Sequence, residues 1–85
     1  MNWKAVKVEY EVTPDPHRRR TFFVTLGYRE GSSEIRSHWV ITVGELDTRG
    51  RKLPATEDEL NPETSQANAK AAAERQIRWV MEHGR

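Results

Sequence analysis

Three stretches of the chain alternate between apolar and polar residues, and a fourth repeats on a helical period. Residues 3–12 set Val6, Val8, Tyr10 and Val12 against Trp3, Ala5, Lys7, Glu9 and Glu11, the pattern of a half-buried strand. Residues 21–29 set Phe22, Val24, Leu26 and Tyr28 against Thr21, Phe23, Thr25 and Gly27. Residues 34–46 set Ile35, Trp39, Ile41 and Val43 against Arg36, His38, Val40 and Thr42. Thr13-Pro14-Asp15-Pro16 stops the first strand, because proline removes ladder donors and bends the chain. Glu30-Gly31-Ser32-Ser33 reads as a compact turn, so the second and third strands form a hairpin.

Residues 61–84 carry the one long helical signal. Asn61 is placed to cap it, Pro62 suits the first helical position, five alanines favour it, and Gly84 offers a stop. Ala69, Ala73, Gln76, Ile77 and Val80 share one face, with Ala72 and Met81 at its edges; Glu74, Arg75, Arg78 and Glu82 lie opposite. The apolar face is small at its start and large at its end, which predicts close packing near Ala69 and Ala73. Residues 47–60 read as an acidic connection. The expected fold is α+β: a three-stranded antiparallel meander sheet with one C-terminal helix packed on one face, as a single β-β-β-α domain over residues 1–85.

Composition narrows the function without selecting it. The chain is 35% hydrophobic and 32% charged, with apolar residues patterned for a core rather than dispersed. There is no cysteine, hence no disulfide framework and no thiolate metal site. No apolar run is long enough for a membrane span and the N-terminus lacks signal-peptide anatomy, so the expected setting is cytoplasmic. Net charge is +1, but residues 1–36 carry +2, residues 37–66 carry −3 and residues 67–85 carry +2.

Two clusters draw attention. His17-Arg18-Arg19-Arg20 is the densest positive charge, on a loop that can grip phosphates. The sheet face away from the helix is expected to carry Trp3, Phe23 and Val40 with Lys7, Arg36 and His38, an aromatic and basic surface suited to stacking bases. The competing expectation folds Trp3 and Phe23 over an edge or onto the long connection. Glu57, Asp58, Glu59 and Glu63 favour a helix start and lack calcium-loop spacing. The three histidines have no metal-ligand spacing, and no nucleophile elbow or phosphate loop occurs. Neither a catalytic site, a metal nor a cofactor is expected.

Pro14-Asp15-Pro16-His17 leading into Phe22-Phe23-Val24, and Ser65-Gln66-Ala67-Asn68-Ala69-Lys70-Ala71-Ala72-Ala73, resemble motifs of the double-stranded-RNA-binding domain family. That family has a proline-histidine hairpin loop and a last helix opening on serine, lysines and an alanine pair. The resemblance implies RNA contacts at His17 and Lys70. It departs from the family in lacking a first helix and in having Gln66 and Ala67 where the family has lysines. The element order is also similar to plant Apetala-type and tyrosine-integrase arm-binding domains, which lay a three-stranded sheet in the DNA major groove.

These readings converge on a small non-catalytic nucleic-acid-binding module, DNA or RNA, using the open sheet face and the arginine hairpin. The alternative is a phage or mobile-element protein that inhibits or adapts a nucleic-acid-handling protein complex, in the manner of anti-CRISPR proteins, presenting Glu57, Asp58, Glu59 and Glu63 to a basic partner. An edge strand, 3–12 or 34–46, would also suit pairing across a homodimer.

Overall fold

The computed structural model describes residues 1–6, 9–15 and 18–83, with only the backbone for Ala5 and Val6. Asn2–Val6 (β1), Glu9–Thr13 (β2), Phe22–Arg29 (β3), His38–Glu45 (β4) and Thr56–Glu59 (β5) form one antiparallel sheet in chain order, followed by the helix Gln66–His83 (α1). The sheet therefore has five strands, not three.

Both extra strands have physical causes. The expected strand 3–12 is a hairpin: the chain reverses between Val6 and Glu9, which stand opposite each other. The alternation continues across the reversal, so the pattern alone does not reveal the break. β5, Thr-Glu-Asp-Glu, has no apolar residue and all four positions are exposed. It is held by its backbone, with Val40 opposite Glu59 and Val43 opposite Thr56. Charge along an outer strand is what keeps an edge from recruiting another chain.

The hairpin at β1 changes the faces. Trp3 stands opposite Val12 and Ala5 opposite Tyr10, so Trp3 shares the helix-covered face with Val12. On that face Val12, Phe22, Val24, Ile41 and Val43 meet Ala69, Ala73 and Ile77 in one buried core. Ala69 and Ala73 are fully buried, as the small-to-large gradient predicts. Trp39, Leu26 and Tyr10 pack at the margin. Ile35, expected on the core face, is 61% exposed because residues 30–37 form the hairpin tip rather than strand.

The helix starts later than Asn61. Ser65 is its cap, its Oγ accepting from the Asn68 amide at 3.2 Å. Asn61 instead closes a separate turn, accepting from the Glu63 amide at its side chain (3.0 Å) and from Thr64 at its carbonyl (2.9 Å). No described helix is long and apolar enough to cross a membrane.

The molecule is elongated, 46 × 25 × 21 Å. In a meander, alternate connections fall at the same end. The β3–β4 tip therefore lies at one end, and the β2–β3 and β4–β5 connections lie together at the other. The helix begins near the tip, where the Leu60 amide donates to the Trp39 carbonyl at 2.8 Å.

Candidate functional site

The face away from the helix is not the aromatic and basic platform expected from the sequence. Phe23 does lie on it, but is only 6% exposed. The connection after β4 folds back over this ring. Lys52 Nζ sits 5.0 Å from its centroid and reaches Glu9 at 2.8 Å. Gly44 makes the fit: a Cβ there would meet the Phe23 ring at 2.6 Å and the Ala55 Cβ at 2.9 Å. Trp3 lies on the other face, edge-on to Tyr10 at 5.3 Å, and donates from Nε1 to Glu74 at 2.7 Å. Neither ring is available as an open stacking surface on that face.

The remaining residues singled out from sequence are dispersed. His38 is 8% exposed, with Nδ1 donating to the Arg36 carbonyl at 2.9 Å and Nε2 3.4 Å from Glu59. Arg36 is exposed at the tip, 4.0 Å from Glu63. Glu59 and Glu57 face Arg29 at 3.0 and 3.9 Å, and Asp58 accepts from the Gln76 side chain. Lys70 lies over the rings of Tyr10 and Trp3, 4.9 and 5.3 Å from their centroids. Lys7 and His17 lie outside the described residues.

The arginine loop separates into two kinds of residue. Arg20 is structural: its Nε and Nη2 donate to the two oxygens of Glu45 at 2.8 and 2.7 Å. The hydrogen bond to Glu45 raises the Arg20 pKa above its ordinary value, outweighing the opposing effect of burial. Arg18 is exposed and 3.5 Å from Asp15. Arg19 sits at the turn with φ of 54°, a left-handed conformation rarely adopted outside glycine, and its side chain is exposed.

A second basic loop stands beside it. The Leu46 amide donates to the Thr21 carbonyl at 2.9 Å, tying the two connections together. Leu46 and Lys52 then bridge to form a small hairpin whose turn carries Arg49, Gly50 and Arg51. Asp47 organises it, accepting from the Arg49 and Arg51 amides at 2.9 and 2.8 Å, while Gly50 takes φ of 79°. Glu45 is half-buried against Arg20, Asp47 accepts from the loop amides and Glu9 meets Lys52, while the half-buried Glu11 also lies at this end; Arg18, Arg19, Arg49 and Arg51 are exposed. An open cleft of about 820 Å³ lies between the loops, lined by Arg18, Arg19 and Arg20 from one and by Glu45 to Thr48, Gly50 and Leu53 from the other, with Glu11 also in the lining; Arg49 and Arg51 stand outside it.

Sequence reasoning missed Arg49 and Arg51 by reading residues 47–60 as one acidic connection. The signal was present: Arg-Gly-Arg-Lys follows a strand whose far end, in any antiparallel meander, lies beside the Arg18–Arg20 loop. No cluster of three or more metal-ligating side chains occurs among the described residues. No protein-family model, curated protein or solved structure matches the chain.

Proposed function

We propose that the protein is a small nucleic-acid-binding module, working in the cytoplasm, that grips the phosphate backbone at the loop end of its sheet. The observation that carries this is the meeting of two arginine-bearing loops. Arg18 and Arg19 come from one, Arg49 and Arg51 from the other, while Arg20 engages Glu45 and the loop's own amides engage Asp47. Guanidinium groups suit phosphate because their fork of donors matches its oxygens. The open sheet face drops out of the reading, since Phe23 and Trp3 are covered.

The test is a titration of labelled DNA and RNA, single- and double-stranded, at two salt concentrations. Replacing Arg19, Arg49 and Arg51 together by alanine is expected to weaken binding at least tenfold and flatten its salt dependence. Arg20 is left in place because it holds Glu45. Absence of binding to every oligonucleotide at low salt would sink the proposal.

A second reading, an inhibitor or adaptor of a protein complex from a phage or mobile element, draws on the opposite end. There Tyr28 is 57% and Ile35 61% exposed beside a concentration of carboxylates. Replacing Tyr28 and Ile35 by serine separates the two: it leaves oligonucleotide binding unchanged and abolishes capture of a protein partner if that end is the instrument.

A further inference from the structure

We infer that the ligand of this site is single-stranded, with a base seated in a cleft beside the arginine loops. The inference rests on the phosphate-binding proposal above. A second cleft of about 270 Å³ opens between the C-terminal half of α1 and the β4–β5 connection. Phe22 and Val43 form its floor, Leu53 and Pro54 one wall, and Gln76 and Val80 the other. It adjoins the arginine-lined cleft, and the two share Arg20, Glu45 and Leu53.

The occupant follows from that adjacency. An apolar slot with polar groups at its rim accepts a planar heteroaromatic ring, and exposed guanidinium groups next door accept phosphates. A strand with unstacked bases presents both within one nucleotide, which a stacked and paired duplex does not. A base paired in a duplex is held in its stack and does not reach a slot set back between a helix and a sheet edge. Leu53, 42% exposed, stands open to a ligand on this wall, as does the exposed Pro54.

The experiment compares four probes of equal phosphate count at low salt: single-stranded DNA, single-stranded RNA, duplex DNA and an abasic deoxyribose-phosphate strand. The base-bearing single strands are expected to bind about tenfold tighter than the duplex or the abasic strand. The ratio between the DNA and RNA arms identifies which sugar the site takes. Leu53→Ala, and separately Thr56→Phe to fill the slot from the exposed edge strand, are expected to bring the single strands down to the abasic level. Circular dichroism checks that both variants fold. Arg19→Ala/Arg49→Ala/Arg51→Ala lowers all four probes alike. Equal binding of base-bearing and abasic strands, or unchanged discrimination in both cleft variants, overturns the base slot and leaves the phosphate grip standing. Loss of all binding in the unmodified protein overturns both.

Discussion

The arginines of one short loop do different work because of where their side chains end. Arg20 and Glu45 have side chains only 20% and 27% exposed and meet through two hydrogen bonds. Removing the charge on one side leaves the other half-buried and unpaired, so Glu45→Gln is expected to lower stability by about 2 kcal/mol in a denaturant titration. The raised Arg20 pKa sets the pH dependence of its share. That share is complete at every pH below the ordinary arginine value and is lost only as pH climbs through the higher folded value. Arg20 itself therefore contributes no alkaline slope in a stability profile taken from neutral pH to pH 10. Arg19 is the converse case. Its φ of 54° costs about 1 kcal/mol that glycine would not pay sterically. Arg19→Gly is thus expected to hold or slightly raise the melting temperature while weakening oligonucleotide binding, a separation that a purely structural arginine would not show. Gly44 is constrained by space rather than by φ. Gly44→Ala drives a methyl into the buried Phe23 ring and is expected to cost about 2 kcal/mol.

At the scale of elements, the sequence made legible what side-chain burial dictates and hid what the backbone alone holds. The helix face is read correctly because Ala69, Ala73 and Ile77 recur at four-residue spacing and all three are fully buried. Ile77→Ala is expected to destabilise by about 3 kcal/mol, read as a shift of the thermal midpoint, through lost burial and the cavity left behind. β3 and β4 are legible for the same reason, Phe22 and Val24, and Ile41 and Val43, being buried at two-residue spacing, although Phe23, His38 and Val40 on the other face are buried as well. β5 is not, because Thr56 to Glu59 contribute no apolar contact and only the ladder to β4 makes them a strand. The β1–β2 hairpin is hidden for another reason: alternation runs on through the reversal while pairing Trp3 with Val12 puts the tryptophan on the core side. That single misplacement carried Trp3 from the helix to the open face and supplied half of the supposed stacking platform. The candidate site was legible only in part. Arg18 and Arg19 stood out as a run, whereas Arg49 and Arg51 acquire meaning only beside them, once two connections share an end.

Across the whole molecule, negative charge concentrates at the β3–β4 tip. Residues 29–36 and 57–63, at and near the tip, hold two arginines against six carboxylates, a net of −4. The rest of the chain holds twelve Lys/Arg against seven carboxylates, a net of +5. The near-neutral total conceals this. Four exposed arginines releasing counterions predict a slope of log Kobs against log salt of about −3 to −4, with the shallower value for single strands. A slope near zero would assign the contact to something other than phosphate.

β5 is an outer edge of the sheet, and its side chains decide what can add to it. Two copies meeting edge to edge there would crowd Glu57, Asp58 and Glu59 of one against the same three carboxylates of the other. Growth of the sheet by pairing at this edge is therefore opposed by like charge, and most strongly at low salt.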